Sequence, residues 1–136
     1  MSECIFCKPG TMVYVRQDGY PVSPGHLLII PGQHYETYFD VPLEVRMALW
    51  NRVDDAKKAI EENWEQLQLP ALPAGYNVGI NCGEAAGQTV MHCHVHLIPR
   101  YDGDMEDPRG GVRGCIPERM NYKNGTLKYE PENGHF

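Results

Sequence analysis

The sequence NCGEAAGQTVMHCHVHLI occupies residues 81–98 and contains three of the six histidines of the chain. Side chains alternate between the two faces of a β-strand, so residues two apart lie on the same face. In a strand from Val90 to Ile98, one face would carry His92, His94 and His96, and the other Cys93, Val95 and Leu97. A row of imidazoles opposite an apolar face predicts a functional strand packed on a core.

The histidine row has three interpretations. Three surface histidines on a half-exposed strand would need no function, but strict alternation opposite apolar residues rarely arises by chance. His-x-His spacing also suits a metal site, although such sites often add a carboxylate, and the next acidic residue is Asp102. In the third interpretation, one imidazole is a nucleophile and its neighbours bind the anion that it attacks.

The glycine-rich loop before the row favours the third interpretation. Gly83 and Gly87 would let the backbone approach an anion and direct its N–H groups inward. Gln88 would add an amide donor, and Thr89 would add a hydroxyl. A loop of this kind can hold one phosphate without a net positive charge.

Hydrophobic patterning predicts four strands and one long helix. After Asp40, the expected N-cap, apolar positions recur at the spacing of one helix face; they are Val45, Leu49, Val53, Ala56, Ile60, Trp64 and Leu67. Short β-branched or apolar runs predict strands at 11–16, 26–30 and 75–81, in addition to 90–98. The expected fold is α+β, an antiparallel sheet with one long helix packed on it.

The length of 136 residues predicts one domain. Residues 1–104 would form its core. Residues 105–136 are polar and rich in glycine and proline, which predicts a loop or hairpin extension of the same domain. The sequence Asn124-Gly125 suits the tight turn of such a hairpin.

Charge and composition exclude several classes of function. Eighteen acidic residues face twelve basic ones, and no Lys/Arg run occurs, which argues against polymeric nucleic acid as a partner. We expect no membrane association, because no apolar run approaches 18 residues, and no secretion signal at the N-terminus. Five cysteines is an odd number, so we expect reduced thiols and a cytoplasmic location rather than a disulfide framework.

Residues 81–98 resemble the histidine triad (HIT) family of nucleotide hydrolases and transferases, whose signature is His-φ-His-φ-His-φ-φ with φ apolar. Residues 24–31, followed by Gln33-His34, are similar to a second motif of that family. The resemblance covers about residues 4–104. It implies a HIT-like sheet that continues across a homodimer, a small-molecule nucleotide as the bound partner, and no catalytic metal.

The resemblance also assigns roles to residues. His94 would attack the α-phosphorus of a nucleoside phosphate and form a covalent nucleotidyl-histidine that water hydrolyses. The other catalytic residues would be His92, His96 and Gln88. Substrate binding would fall to Asp18, on the ribose hydroxyls, and to His26, Asn81, Gly87 and Thr89.

The substrate class stays open at this point. Pro99-Arg100 followed by Gly103-Asp104 resembles the branch that cleaves dinucleoside polyphosphates, which is therefore the first choice. An adenosine phosphoramidase with the same reaction centre is the alternative within the family. A nucleotide-binding regulatory protein without significant turnover is the alternative from another class.

Cys4 and Cys7 have the spacing of a zinc half-site. Some members of the resembled family complete such a site with two histidines, which correspond here to His34 and His92. Four protein ligands would close the coordination, so this zinc would be structural. The alternative is a pair of reduced thiols in a flexible head formed by residues 1–10.

Overall fold

The computed structural model describes residues 4–123. The chain divides into two compact units, Met1–Asp104 and Met105–Phe136. The described part of the second unit contains two 3-10 helices, at Gly111–Cys115 and Pro117–Arg119. The hairpin turn predicted at Asn124-Gly125 lies outside the described residues.

Four antiparallel strands form the sheet of the first unit: β1 (Val13–Gln17), β2 (Leu27–Pro31), β3 (Gly75–Ile80) and β4 (Val95–Arg100). Their order across the sheet is β1-β2-β4-β3, so β2 and β4 are central. His96 on β4 pairs with Leu28 on one side and Gly79 on the other. The sheet therefore places one histidine of the row at its centre.

The single long helix, α1 (Leu43–Asn63), buries the predicted apolar face. It packs on the sheet in the main core, with Val45, Leu49, Val53, Ala56 and Ile60 against Ile29, Cys93, Val95 and Leu97. Both the side chain and the backbone of Cys93 are fully buried there. The α+β fold predicted from the sequence, one helix on an antiparallel sheet, is confirmed.

The ends of α1 differ from the prediction. The helix ends at Asn63, so Trp64 and Leu67 lie beyond it, and its N-cap is Pro42 rather than Asp40. The Asp40 carboxylate instead accepts hydrogen bonds from the backbone N–H and the hydroxyl of Thr37, in a 3-10 helix at Tyr38–Asp40. A carboxylate bound to Thr37 is not free to cap a helix that begins three residues later.

The histidine strand also differs from the prediction. β4 begins at Val95, so only His96 of the three lies in it, and the strand continues to Arg100. His92 and His94 precede it in an irregular segment, where the Cys93 N–H donates to the carbonyl of Tyr35 (2.7 Å). Strand alternation therefore does not set the directions of the first two histidines.

The N-terminal head, which the structure describes from residue 4 to residue 10, packs on the face of the sheet opposite α1. Phe6 packs with Leu28 and Ile30 in a small second core, and the Tyr14 hydroxyl donates to the Phe6 carbonyl (2.6 Å). The carbonyl of Gly32, just after β2, accepts the N–H of Lys8 (2.9 Å). Among residues 4–123, no helix combines the length and apolar character that a bilayer crossing requires.

Candidate active site and metal site

His94 is held by its own backbone segment. Its Nδ1 lies 2.8 Å from the carbonyl oxygen of His92. Because a carbonyl only accepts, Nδ1 carries the proton and Nε2 keeps its lone pair. The residue is 9% exposed, and the Phe6 ring packs against it in a T-shaped arrangement with centroids 5.1 Å apart. This gives His94 a nucleophilic nitrogen of fixed direction.

His96 places a second ring beside it, with 5.1 Å between the two ring centroids. The Nδ1 of His96 is 2.9 Å from the Nε2 of His26. Its Nε2 is buried and has no hydrogen-bond partner within residues 4–123. Burial lowers the pKa of His96 to about 4, and the neighbouring His94 and His26 act in the same direction. The ring is therefore neutral at physiological pH.

Asp18 and His26 lie next to His96. The Asp18 carboxylate is 3.4 Å from the Nε2 of His26 and 3.8 Å from the Nδ1 of His96. The Nδ1 of His26 accepts the backbone N–H of Val22 (3.0 Å). Burial lowers the pKa of His26, and Asp18 opposes that effect. The fold thus brings two residues predicted to bind substrate to the third histidine of the triad.

The glycine-rich loop is folded on itself, unlike the expected anion cradle. Gly83 and Gly87, with φ of +94° and +91°, bracket a 3-10 helix at Glu84–Ala86, and positive φ favours glycine at both positions. The N–H groups of residues 86–88 donate to the carbonyls of residues 83 and 84. These three N–H groups are therefore used within the loop rather than directed at an anion.

Gln88 braces this loop. Its Oε1 accepts the N–H of Gly83 (2.7 Å), and its Nε2 donates to the carbonyls of Glu36 (2.6 Å) and Val90 (3.1 Å). Both amide hydrogens are thus used on backbone groups, and the phosphate contact expected of Gln88 is not prepared in this structure. Thr89 is exposed beside it, and Asn81 is half-buried just after β3; their roles in binding stay predictions.

Three residues of the site were missed by sequence reasoning. Phe6 packs against His94, and its apolar character between two cysteines was the only signal for it. Val22 and Glu36 act through a backbone N–H and a backbone carbonyl. Any residue carries those groups, so no side-chain pattern could have identified them.

The second group of side chains is Cys4, Cys7, His34 and His92, whose ligand atoms all lie within 4.8 Å of one another. The Sγ atoms of Cys4 and Cys7 are 3.3 and 3.4 Å from the Nδ1 atoms of His92 and His34, respectively, and those two nitrogens are 3.2 Å apart. Zinc bonds of about 2.3 Å to sulfur and 2.0 Å to nitrogen put tetrahedral ligands roughly 3.3–3.8 Å apart. The donor set therefore fits zinc.

His92 is oriented for that role. Its Nε2 donates to the carbonyl of Pro31 (2.7 Å), so its Nδ1 keeps a lone pair directed at the two thiols. A carbonyl on the second ring nitrogen is the usual way in which a protein fixes a metal-binding imidazole. Burial lowers the pKa of His92, which favours the neutral form that binds metal.

The chain is similar to known proteins over the segment that contains these residues. A HIT domain model matches residues 5–103. The chain is 36% identical to a Bacillus subtilis protein named hit, over 96% of this chain and 86% of that protein. It is 33% identical to an adenylylsulfatase from Arabidopsis thaliana, over 96% of this chain and 64% of that protein. It is 32% identical to an AP-4-A phosphorylase from Mycobacterium tuberculosis, over 76% of this chain and 50% of that protein.

Solved structures agree. A zinc-bound histidine triad family protein from Mycobacterium smegmatis matches with a TM-score of 0.55 at 28% identity, over 75% of this chain and 68% of that one. The segment matched by the family model contains the three histidines, the braced loop and three of the four potential zinc ligands. The chain belongs to the histidine triad (HIT) family, whose members include proteins named for their action on nucleotides.

Proposed function

We propose that the chain is a nucleotidyl hydrolase in which His94 attacks the α-phosphorus of a nucleoside phosphate. The hydrogen bond from His94 to the His92 carbonyl carries this proposal, because it leaves the Nε2 lone pair of a nearly buried ring free to attack. A bond forms between Nε2 and phosphorus as the bond to the leaving group breaks. Water then attacks the same phosphorus, releases the nucleotide and regenerates His94.

Charge that develops on the non-bridging oxygens needs donors at fixed positions. His96 can supply a buried ring N–H for this purpose, and we assign the Thr89 hydroxyl as a second donor. We assign Gln88 the task of holding the loop in shape, because its amide hydrogens are already donated to backbone carbonyls. Asp18 remains the candidate for binding the ribose hydroxyls, and Asn81 and Gly87 remain candidates for the phosphate side. His26 remains a candidate through its contact with His96.

The arrangement of ring nitrogens disfavours a hydrolase that uses the three histidines to bind one catalytic metal. Within residues 4–123, His92 groups with Cys4, Cys7 and His34, whereas His96 groups with Asp18 and His26. The Nδ1 of His94 is bonded to a carbonyl. The three Nδ1 atoms therefore face three different surroundings, and the proposed reaction requires no catalytic metal.

Dinucleoside polyphosphates are the substrates that we propose first. The AP-4-A phosphorylase relative supports that class, whereas the adenylylsulfatase relative supports an adenylyl group joined to a different leaving group. A panel of dinucleoside polyphosphates, adenosine phosphoramidates and adenylyl sulfate, compared by kcat/KM, separates these. Tight nucleotide binding with no turnover on the whole panel would instead indicate a regulatory protein.

The substitution His94→Ala tests the nucleophile. We expect it to abolish turnover and to leave nucleotide affinity within about threefold, because the ring contributes chemistry rather than most of the binding. Rapid quenching of the unaltered protein should trap a nucleotidyl group on His94, detected by peptide mass spectrometry, and EDTA should not prevent this. Near-normal turnover in His94→Ala, or a nucleotide attached elsewhere, contradicts the proposal.

We also propose that Cys4, Cys7, His34 and His92 hold one structural zinc ion. The interatomic distances and the orientation of His92 support this, as does the zinc-bound relative. When bound, the ion would link residues of the head to residues that lead into β4. Its removal should therefore loosen the packing of the head on the sheet rather than remove a chemical step.

A homodimer with a sheet that continues across both chains, and a reducing cytoplasmic location, complete the proposal. β1 and β3 are the edge strands, and each offers a row of backbone groups for pairing. Light scattering after size exclusion should give twice the 15.4 kDa mass of one chain. A mass of one chain at micromolar concentration contradicts the dimer.

A further inference from the structure

The contact between Val22 and His26 fixes where one proton lies. The backbone N–H of Val22 points at the Nδ1 of His26 from 3.0 Å. A backbone N–H can only donate, so Nδ1 must accept and therefore carries no proton. Burial keeps the pKa of His26 below its usual value, so the neutral ring carries its single proton on Nε2.

That proton in turn fixes the tautomer of His96. The Nε2 of His26 lies 2.9 Å from the Nδ1 of His96, and two N–H groups cannot face each other at that distance. The His26 proton fills the space, so the His96 nitrogen must present its lone pair. His96 is neutral too, with a pKa of about 4, so its proton lies on Nε2.

The Nε2 of His96 is the one buried side-chain nitrogen or oxygen within residues 4–123 that has no hydrogen-bond partner. A buried donor without an acceptor is costly unless a ligand supplies the acceptor. The ring stands 5.1 Å from the ring of the nucleophile His94. A phosphate oxygen of a substrate bound at His94 would satisfy this donor.

The same three side chains could be considered a metal site, because Asp18, His26 and His96 have ligand atoms within 4.8 Å of one another. Coordination through the Nε2 of His26 would require a lone pair there and move the ring proton to Nδ1. That proton would then face the N–H of Val22 at 3.0 Å between nitrogens. The backbone therefore favours a proton on Nε2 over a metal.

We propose that His26 is a positioning residue: held by the Val22 N–H, it keeps His96 in the Nε2–H tautomer, so that His96 presents a ready donor to the phosphate. The contact of His96 with phosphate rests on the proposed function, whereas the link from Val22 through His26 to His96 does not. His96 needs this positioning because the Asp18 carboxylate also lies near its Nδ1. With the His26 donor removed, the Asp18 carboxylate, 3.8 Å away, would draw the His96 proton to Nδ1.

Two substitutions separate positioning from a merely structural role. His26→Asn keeps an oxygen that can accept from Val22 but removes the donor that faces His96. His26→Gln offers an amide donor near the position of the lost Nε2–H. Nitrogen-15 spectra of the ring nitrogens, recorded at neutral pH, report which nitrogen of His96 is protonated and require no activity.

We expect the proton of His96 on Nε2 in the unaltered protein, on Nδ1 in His26→Asn, and again on Nε2 in His26→Gln. The value of kcat should fall roughly a hundredfold in His26→Asn, as when one oxyanion donor is lost, with KM changed less than threefold. The kcat of His26→Gln should be at least tenfold higher than the kcat of His26→Asn, because the amide donor restores part of the transition-state stabilisation.

Either of two results overturns the inference. One is an unaltered protein whose His96 carries its proton on Nδ1. The other is a His26→Asn variant that keeps the Nε2–H tautomer although kcat falls. If the unaltered protein shows no turnover with any nucleotide, the proposed function fails, and the tautomers of the three proteins still decide what His26 does.

Discussion

At the scale of single residues, the site depends on two imidazoles, His26 and His96, that burial keeps neutral. His26, His94 and His96 lie within one cluster, and charge on more than one of them would be repulsive. Burial reduces this repulsion, because it lowers the pKa values of His26 and His96 and so favours their neutral forms. Each neutral ring then has one donor and one acceptor nitrogen, and the backbone decides which is which.

The depressed pKa of His96 predicts a loss of stability in acid. An unfolded histidine titrates near pH 6.5, and His96 in the fold titrates near pH 4. Between these values the unfolded chain binds more protons, so the free energy of unfolding decreases as the pH falls. Urea denaturation at several pH values with a chelator present, so that no metal contributes, measures this. A slope in His96→Gln as steep as in the unaltered protein would contradict it.

Gly32 is predicted to tolerate no side chain. A Cβ there would lie 1.8 Å from the carbonyl oxygen of Thr11 and 2.6 Å from that of Lys8, which are backbone atoms of the segment before β1. Gly32→Ala should therefore lower the free energy of unfolding by about 1–3 kcal/mol, the usual cost of overpacking. Gly19→Ala is the control, because a Cβ there has no neighbour within 4 Å. Equal effects of the two variants in urea denaturation would reject the argument.

At the scale of elements, local pattern predicted that the helix and the strands exist, but it did not predict where α1 and β4 begin or the details that need distant contacts. The apolar face of α1 and the strands follow from residues near in sequence. The path of His92 and His94 depends on the Cys93 N–H reaching Tyr35, and the use of Gln88 depends on Glu36. Neither partner carries a sequence signal, because both act through backbone carbonyls.

The buried face of α1 predicts an unequal response to truncation. Leu49 is fully buried, so Leu49→Ala should cost about 2–5 kcal/mol, the sum of lost burial and a cavity. Met47 lies on the same helix and is 59% exposed. Met47→Ala should change the free energy of unfolding by less than about 0.5 kcal/mol. Thermal or urea denaturation of both variants checks this, and a comparable loss in Met47→Ala would show that this face is covered.

At the scale of the whole molecule, two sites share one residue. The side chain of His92 faces the thiols of Cys4 and Cys7, while its backbone carbonyl accepts a hydrogen bond from the Nδ1–H of His94. The proposed zinc would thus fix the residue whose backbone orients His94, the proposed nucleophile. Residues distant in sequence, from the head and from the approach to β4, come together in this way.

Zinc removal is predicted to destabilise the first unit. Cys7→Ser should lose the metal and lower Tm by about 5 °C or more, because a closed site adds its binding energy to folding. Cys115→Ser is the matched control, since Cys115 is exposed and lies in the second unit. Metal analysis and calorimetry of protein purified without a His-tag decide the matter. Less than about a tenth of an equivalent of zinc in the unaltered protein would count against a structural role.

The burial of Cys93 in the core between α1 and the sheet gives the molecule its own reporter of opening. Burial raises the pKa of that thiol to about 12, and only a thiolate reacts quickly with alkylating reagents. Cys115 is exposed and would be modified at once, as an internal reference. The slow modification of Cys93 under native conditions would therefore time the fluctuations that separate α1 from the sheet, with no introduced label.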